Sequence, residues 1–256
     1  MHFFKQTRTY GALSLLYTLV SLSSLQKSAW ALPQAPTAPT AVNANSATSC
    51  ARKEWTNFND PAFHSSFDIQ CGDKNVIIDA NGMLTLKADK DCYWPGFSYK
   101  FDDLHYGTAT VELTMAGVSG WATAFIRGEE GGDEIDMEWV GKTTNVVETM
   151  IFKDGKSMPG HDEADKIHSG ESMAEVFHRY DIVFLPDRIE FKVNGKVGST
   201  YKRSDLPKYP DGAKKLKLNL WDGGRDHSSW AGKTEWNNEI FAQIRYLAFT
   251  PYCDGV

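Results

Sequence analysis

The chain has 256 residues, of which 41% are hydrophobic and 23% are charged, and its formal net charge is −6. No run of basic residues interrupts this mildly acidic balance. Nucleic acid and anionic membrane surfaces are therefore poor partners for the chain.

Residues 1–31 carry the three parts of a secretory signal peptide. Lys5 and Arg8 supply a basic beginning, and residues 11–25 contain no charge. The sequence A-W-A at 29–31 then has the small residues that signal peptidase requires at its cleavage site. We predict that this segment is removed on export. A retained signal anchor is the alternative, although the apolar stretch is shorter than the roughly 20 residues of a membrane span.

Residues 32–49 contain neither a charge nor a large aromatic side chain and are rich in Pro, Ala, Thr and Ser. Such a composition cannot bury enough apolar surface to offset the loss of chain entropy, which predicts a disordered linker. The remaining residues, 50–256, are long enough to fold as one domain with a sizeable core. The final residues, FTPYCDGV, lack a hydrophobic tail, so no membrane anchor is predicted there.

The four cysteines, Cys50, Cys71, Cys92 and Cys253, all lie in the predicted domain. An even number of cysteines in an exported chain predicts two disulfides, and four cysteines allow three connectivities. We favour Cys50–Cys71 as a local loop and Cys92–Cys253 as a staple of the C-terminal segment. A zinc site is the alternative, but no C-x-x-C pair or histidine stands at the spacing of metal ligands.

The predicted domain reads as many short strands separated by turn residues, with no long stretch of helical period. Asp187-Arg188 and Asn194-Gly195 are typical of hairpin turns. Strands are predicted at 76–79, 83–88, 106–115, 121–127, 134–140, 146–152, 179–185, 189–193, 214–220 and 240–249, from their alternation or their β-branched and aromatic content. The pattern predicts an all-β fold, a β-sandwich of the jelly-roll kind.

The segment DEIDMEWV at 133–140 places three acidic residues on one face of a predicted strand. Because side chains alternate along a strand, Glu134, Asp136 and Glu138 share one face, and the apolar residues between them share the other. Like charges on one face repel each other, and Asp and Glu are depleted in strands. The arrangement therefore indicates a function, with catalysis, a divalent-cation site and a plain structural strand as the alternatives that the alternation leaves open.

Paired carboxyl groups are what a retaining glycosidase uses, as an ionised nucleophile and a protonated general acid about 5–5.5 Å apart. On an ideal strand the Cα atoms of Glu134 and Glu138 lie about 13 Å apart, so the side chains must lean toward each other or the strand must bend. Asp136 lies between them, where it can hydrogen-bond to the nucleophile. Its charge also favours the protonated form of Glu138.

The stretch DEIDMEWVG resembles the E-I-D-x-E signature of glycoside hydrolase family 16. Within that family the chain is similar to fungal Crh-type cell-wall glucanosyltransferases and, more distantly, to plant xyloglucan endotransglycosylases. The likeness extends over most of residues 50–249 and includes YWPGFSYKF, YGTATVEL, FHRYDIVFLPDRIEFKVNGK and LNLWDGGRDHSSWAGKTEW. The resemblance implies a concanavalin A-like β-jelly roll, with Glu134 as the nucleophile, Asp136 as its helper and Glu138 as the acid/base.

One segment departs from the family pattern a few residues after the acidic strand. Relatives often read Q-T-N there, whereas this chain reads Glu148-Thr149-Met150. The change replaces two amide side chains that the resemblance places near the scissile bond. Glu148 is therefore a candidate contact to the sugar, and either the substrate differs from that of the relatives or the lost contacts come from elsewhere.

Sugar rings present apolar C–H faces, so aromatic side chains and a few polar groups are expected along a polysaccharide cleft. Trp121 and Arg127, on the strand before the acids, are candidates if their face is concave, with packing in the core as the alternative for Trp121. The loop after residue 220 resembles the W-x-G-G loop of the Crh-type enzymes. It supplies five further candidates: Trp221, Arg225, Trp230, Thr234 and Trp236.

Other conspicuous side chains are expected to pack rather than to bind. Phe125 and Trp139 are expected in the core, and His178 in structural packing at the beginning of a strand. Tyr93 and Trp94 are expected to pack a loop beside the disulfide of Cys92. No nucleophile elbow of the G-x-S-x-G kind occurs, which disfavours a Ser-His-Asp centre.

Together these patterns predict a secreted retaining glycosidase or transglycosylase that acts on the β-glucan or chitin–glucan of a cell wall. A simple endo-β-glucanase is the alternative, and a non-catalytic carbohydrate-binding protein is a weaker one, because a lectin needs none of the three acids. The expected partner is the polysaccharide, with chitin as a candidate acceptor, and the protein is expected to act as a monomer without a cofactor. Family relatives often bind a structural calcium ion; no dense Asp/Asn loop indicates one here, and the ion is left open.

Overall fold

The computed structural model describes residues 50–129, 131–158, 164–236 and 238–253. The predicted signal peptide, 1–31, and the predicted linker, 32–49, lie outside these ranges. All described residues belong to one compact unit. No helix in this part of the chain has the length and the apolar character that crossing a membrane requires.

The described residues form two antiparallel sheets, with strands numbered in chain order. The first sheet contains β1 (Lys53–Trp55), β3 (Val76–Ile78), β4 (Leu84–Ala88), β6 (Gly107–Thr114), β12 (His178–Phe184), β13 (Arg188–Val193), β14 (Lys196–Lys202) and β16 (Ile240–Pro251). The second contains β2 (Phe67–Gln70), β5 (Gly96–Tyr99), β7 (Trp121–Gly128), β8 (Glu134–Val140), β9 (Val146–Lys153), β10 (Lys156–Ser157), β11 (Asp165–His168) and β15 (Leu216–Asp222). Three short helices, α1 (Pro61–Ser66), α2 (Gly223–Asp226) and α3 (Ser228–Ala231), and a 3-10 turn at Arg203–Asp205 lie between the strands.

The order of the strands puts the acidic strand near the middle of the second sheet. That sheet runs β10-β9-β8-β7-β15-β5-β2, with β11 paired to β9. The first sheet runs β14-β13-β12-β6-β16-β4-β3, with β1 paired to β16. Because β8 pairs with β7 on one side and with β9 on the other, hydrogen bonds to both neighbours hold its backbone in place. The side chains on its open face are therefore attached to a rigid backbone.

The core lies between the two sheets and is built from one face of each strand. Trp139 on β8 meets Tyr180 on β12 with ring centroids 4.5 Å apart and an interplanar angle of 70°. Both side chains are fully buried, as is Phe125 on β7. Burying a large apolar side chain contributes roughly 1.5–3 kcal/mol, so this face of β7 and β8 anchors the second sheet to the first. The predictions that Trp139 and Phe125 belong to the core are confirmed.

The predicted all-β sandwich is confirmed. Each predicted strand coincides with an observed strand to within two residues at either end. The strands that the sequence did not reveal are β1, β2, β5, β10, β11 and β14. Most of these have two to four residues, too few for an alternation to stand out, and β14 mixes a glycine with exposed polar residues.

The prediction of two disulfides is confirmed, but the favoured connectivity, Cys50–Cys71 with Cys92–Cys253, is wrong. The observed bonds are Cys50–Cys253 and Cys71–Cys92. β1 pairs with the C-terminal end of β16, which brings the two ends of the domain together. β2 pairs with β5, which brings the residue after β2 beside the segment that leads into β5. Sheet pairing decides the connectivity, and cysteine spacing carries no information about it.

Candidate active site

The three acids of β8 lie on the face of the second sheet that points away from the core. Asp136 is 5% exposed, and Glu134 and Glu138 are half-buried. The residues between them, Ile135, Met137 and Trp139, are fully buried on the opposite face. The alternation predicted from the sequence therefore holds along the whole strand.

The strands on either side of β8 frame the acids differently. On β7, the residues opposite Glu134, Asp136 and Glu138 are Gly128, Ile126 and Ala124. On β9, they are Phe152, Met150 and Glu148. Two of the three β7 residues are small, which leaves the open face low on that side, while β9 supplies a wall of larger side chains.

The pKa of Glu138 lies close to neutral pH. Burial is the main cause and raises the pKa of Glu138 to about 7. The indole of Trp221 donates from Nε1 to Oε1 of Glu138 at 3.2 Å, which opposes the rise, whereas the charges of Glu134 and Glu148 add to it. A carboxyl group whose pKa lies near neutral pH and that faces an open cleft is suited to give and regain a proton as a general acid.

Asp136 is also shifted toward its neutral form. Burial raises the pKa of Asp136 well above its usual range, and the charges of Glu134 and Glu138 act in the same direction, with Lys217 opposing them. Its Oδ1 atom is buried and has no hydrogen-bond partner among the described residues. In its neutral form Asp136 carries an O–H that can donate a hydrogen bond to its neighbours. The expectation that the charge of Asp136 favours the protonated form of Glu138 is therefore corrected, since the charges that raise the pKa of Glu138 are those of Glu134 and Glu148.

Asp133, the residue before the acidic strand, fixes the point where β8 begins. Its side chain is buried and accepts hydrogen bonds from Lys153 Nζ at 2.8 Å and from the amide of Gly212 at 2.7 Å. Glu134 follows directly and is thereby held at a fixed place in the sheet. The sequence offered no signal for this role, because the partners come from β9 and from the loop before β15.

A pair of tryptophans forms the wall of the cleft beside Glu138. Trp221 lies on β15, one residue before its end, and Trp230 lies on α3. Their rings stack with centroids 5.5 Å apart and an interplanar angle of 24°. A cavity of about 320 Å³ lies between this pair, Glu138 and β9. Its lining residues are Glu138, Glu148, Met150, Phe152, Ala164, Trp221, His227 and Trp230. The cavity thus combines apolar ring faces with carboxyl groups, the composition expected of a sugar-binding cleft.

Glu148 belongs to this cavity, where the sequence departs from the family pattern. Its Oε2 accepts a hydrogen bond from Trp230 Nε1 at 2.7 Å, and its Oε1 lies 3.4 Å from Lys166 Nζ. The carboxylate is therefore tied to the tryptophan wall on one side and to a cation of β11 on the other. Its position opposite Glu138 in the β8–β9 register also explains its effect on the pKa of that acid.

Trp121 and Arg127 do not line the cleft, and the expectation that they contact the sugar is corrected. Ala124 lies opposite Glu138, so the even-numbered residues of β7 share the face of the acids and the odd-numbered ones face the core. Trp121 and Arg127 are accordingly fully buried. The Nε1 atom of Trp121 donates to the carbonyl of Glu235 at 3.1 Å, deep under the loop that follows α3.

Arg127 is a buried cation surrounded by carbonyl oxygens and aromatic rings. Its Nη2 donates to the carbonyl oxygens of Leu104, His105 and Ala213, at 2.5, 2.8 and 2.9 Å. Its guanidinium carbon lies 5.3 and 5.1 Å from the ring centroids of Phe184 and Phe249. Burial lowers the pKa of Arg127 to about 9, so the side chain stays charged at neutral pH. It joins two loops to the core and takes no part in the cleft.

The remaining loop candidates lie outside the cavity that Glu138 and Glu148 line. Thr234 Oγ1 donates to Asp222, and the amide of Arg225 bonds to the same carboxylate at 3.1 Å, so both positions shape the loop. The Arg225 guanidinium is exposed and its carbon lies 5.9 Å from the Tyr93 ring centroid. Trp236 is half-buried and packed against the core. Of the candidates in this loop, the structure brings Trp221 and Trp230 to the acids.

The site also includes residues that the sequence did not single out, whereas His178 lies outside it. Phe152 and His227 line the cavity, and their only sequence signals are the parity of β9 for Phe152 and the proximity to Trp230 for His227. Met150, which the sequence marks as a departure from the family pattern, lines the cavity as well. His178 lies on the first sheet, where it is buried and its Nδ1 is 2.8 Å from Asn194 Nδ2. The prediction that His178 serves structural packing is confirmed.

No group of three or more His, Cys, Asp or Glu side chains within the described ranges is arranged to hold a metal ion. The expectation that the site works without a cofactor stays a prediction.

A sequence model of the family described as glycosyl hydrolases family 16 matches residues 63–238. Among curated proteins, the chain is similar to the probable glycosidase CRR1 of Saccharomyces cerevisiae, with 27% identity over 168 residues, which are 57% of this chain and 39% of that protein. The chain spans about two fifths of the length of the first curated relatives that it matches.

Two solved structures show the same architecture. The β-glucanase of Bacillus licheniformis superposes with a TM-score of 0.67 at 19% identity and covers 78% of this chain and 98% of its own. An apo structure of Crh5 transglycosylase gives a TM-score of 0.67 at 19% identity, covering 80% of this chain and 86% of its own. These matches bear out the concanavalin A-like jelly-roll sandwich that the sequence predicts.

Proposed function

The chain belongs to family 16 of the glycosyl hydrolases, and on that basis we propose that it is a retaining glycosidase or transglycosylase of β-linked cell-wall glucan or chitin–glucan. Glu134 acts as the nucleophile, Asp136 as its hydrogen-bonding helper and Glu138 as the acid/base. The observation that carries the proposal is the row of three acids on the open face of β8, with the pKa of Glu138 raised to about 7.

The reaction takes two steps on these residues. In the first, Glu134 attacks the anomeric carbon, and Glu138 gives its proton to the departing glycosidic oxygen. In the second, Glu138 removes a proton from the acceptor, which displaces Glu134 from the sugar and restores both carboxyl groups. Asp136, neutral between them, donates a hydrogen bond to the carboxylate that carries the charge. The raised pKa of Glu138 suits both of its roles, because the group must give up and regain a proton at the working pH.

The nature of the acceptor separates two activities, and we propose transfer to a sugar hydroxyl as the main one. The stacked Trp221–Trp230 pair beside Glu138 supports transfer, because it offers an apolar surface on which an acceptor ring can compete with water. Chitin and glucan chains are both candidate acceptors. Simple hydrolysis by an endo-β-glucanase is the second candidate, favoured by the sequence likeness to a β-glucanase of Acetivibrio thermocellus, which is 28% identical over 67% of this chain.

We further propose that residues 1–31 direct export, that residues 32–49 form a linker, and that the domain from residue 50 onward acts in the cell wall or outside the cell. Two disulfides among the described residues suit an oxidising compartment. Within the same proposal, the enzyme works as a monomer without a nucleic-acid partner or a cofactor.

The substitution Glu134→Gln tests the catalytic assignment. We expect the variant to lose release and transfer of labelled oligosaccharide by at least about 10³-fold, because an amide cannot form the glycosyl ester. Glu112→Gln is the matched control, since Glu112 lies on β6 in the first sheet and pairs with Arg245. Full activity of the Glu134 variant would overturn the assignment.

Product analysis separates the two activities. The wild-type protein is incubated with laminarin-, chitin- and mixed-linkage oligosaccharides, and the masses of the products are measured by mass spectrometry. Products longer than the donor indicate transfer, whereas products that are all shorter indicate hydrolysis. If sugar binds but no product forms with any of the three series, the chain is a carbohydrate-binding protein and the proposed enzyme function fails.

A further inference from the structure

Trp94 lies just before β5 and is 57% exposed. The amide of Leu220 on β15 donates to the carbonyl of Pro95 at 3.0 Å, which carries the β15–β5 pairing one residue beyond β5. Pro95 and Leu220 are both buried, so they face the core. Continued by one more residue, the pairing sets Trp94 opposite Trp221, on the face that carries the acids.

A row of paired residues without large side chains leads from the side of Trp94 to Glu138. Across β5, β15, β7 and β8, the residues that stand opposite one another are Gly96, Asn219, Ala124 and Glu138. A Cβ atom added at Gly96 would come within 2.6 Å of the carbonyl oxygen of Leu218, so this position admits no side chain without a shift of the backbone. Between the side of Trp94 and Glu138, this row therefore contains only the small or medium-sized residues Gly96, Asn219 and Ala124. Trp221 lies beside the row on the same face of β15.

The segment that carries Trp94 is held in place on one side by a disulfide and on the other by aromatic contacts. The bond to Cys71 fixes Cys92, two residues before Trp94. The Tyr93 ring meets the edge of Trp236 at 5.7 Å between centroids. Tyr93 is 37% exposed despite this contact, and Trp94 projects into solvent, which corrects the expectation that the two side chains pack the loop. An exposed indole on a fixed backbone loses little conformational freedom when a ligand covers it.

The ligand that fits this surface is a pyranose ring. An indole offers a flat apolar face that matches the C–H face of a sugar, and one indole is far smaller than the apolar patch of a protein interface. Single exposed aromatic residues are common on proteins and need no ligand. Here, however, Trp94 continues the same face and the same row as Trp221, which lines the cavity beside Glu138.

We propose that Trp94 is an outer platform that stacks on a further sugar ring of the polysaccharide bound at Glu134, Asp136 and Glu138. The inference rests on the proposed function, because it assigns the ligand of the platform to the chain that the acids cleave. It predicts that long oligosaccharides bind more tightly than short ones through Trp94.

The test measures affinity and turnover on the same samples. Wild type, Trp94→Ala, Trp94→Phe and the control Phe241→Ala are titrated calorimetrically with short and long laminarin-, chitin- and mixed-linkage oligosaccharides. Phe241 is an exposed aromatic residue, 40% exposed, on β16 of the first sheet. We expect Trp94→Ala to weaken binding of the long oligosaccharide about tenfold and to leave the short one unchanged, the scale of one aromatic contact. Trp94→Phe should retain most of the affinity, and Phe241→Ala all of it.

Several outcomes would overturn the inference. They are an unchanged affinity of Trp94→Ala for the long oligosaccharide, an equal loss for short and long oligosaccharides, and no binding of any series by the wild type. Thermal unfolding of each variant shows that the fold is kept. If the wild type binds with the expected dependence on Trp94 but forms no product, the outer platform stands and the proposed catalytic function fails.

Discussion

On the core face of the β7–β8 pair the guanidinium of Arg127 is surrounded by backbone carbonyls and two phenyl rings, whereas on the opposite face of the same strands three carboxyl groups crowd together. Both faces bury groups that water would solvate better. An arginine cannot shed its charge in the physiological range, so the fold must surround it with acceptors. A carboxyl group can take up a proton, so Glu138 and Asp136 are accommodated by a raised pKa. Burial therefore serves structure on one face and prepares an acid on the other.

The largest expected effect is the loss of activity on substitution of Glu138, on the face that carries the acids. We expect Glu138→Gln to lower kcat/KM by roughly 10³-fold, because the amide cannot protonate the leaving oxygen. The fold should not suffer from the change. Because the pKa of Glu138 is raised in the folded protein, ionisation of this carboxyl lowers the free energy of unfolding as the pH rises from about 4.5 through about 7. The loss is up to about 1.4 kcal/mol per pH unit, and it is absent below about 4.5.

Glu138→Gln should remove that loss, so the variant becomes the more stable protein at pH 8 and differs little at pH 4. Activity assays and urea unfolding at the two pH values measure both effects. A variant that is less stable than the wild type at pH 8 would show that the ionised carboxyl supports the fold, and the contrast between the faces would then be wrong.

The opposite pattern is expected at Arg127, where a substitution should lower the stability of the protein and change its activity little. Arg127→Met keeps much of the side-chain length but leaves three buried carbonyl oxygens without their donor. We expect the free energy of unfolding to fall by about 3 kcal/mol, since unpaired buried carbonyls are costly, while the activity of the folded protein changes little. Urea unfolding measures the first and kcat/KM the second.

The control for this variant is Arg245→Met. Arg245 lies 2.9 Å from Glu112 on the surface of the first sheet, with half of its side chain exposed. Exposed ion pairs contribute less than about 1 kcal/mol, so this variant should unfold close to the wild type. Equal stability of the two variants would mean that the carbonyls around Arg127 find other donors.

The contrast between the faces also shows what the sequence could and could not reveal. Alternation is local, so the acids of β8 and the apolar residues between them were predictable as two sets. The assignment of Trp121 and Arg127 to the cleft failed because alternation on β7 does not say which of its two faces meets the acids. That choice depends on the register between β7 and β8, in which Ala124 lies opposite Glu138.

Contacts between distant segments were hidden for the same reason. The disulfide of Cys50 with Cys253 follows from the pairing of the first strand with the last, which no spacing of cysteines encodes. The exposure of Trp94 depends on how the segment before β5 continues its pairing with β15. By contrast, Trp221 and Trp230 were predictable as a group, because their loop is short and follows the sheet directly.

The smallest expected effect concerns how the acid face is tuned. Glu148→Gln restores the amide that family relatives often carry and keeps an oxygen that can accept from Trp230. The substitution removes a negative charge that raises the pKa of Glu138. The alkaline limb of the kcat/KM profile, where the general acid loses its proton, should therefore move to lower pH by about half a unit. Glu112→Gln, on the other sheet, should leave the limb in place. If the limb stays in place or moves to higher pH in Glu148→Gln, the charge of Glu148 does not tune the acid, and burial together with the charge of Glu134 sets the pKa of Glu138.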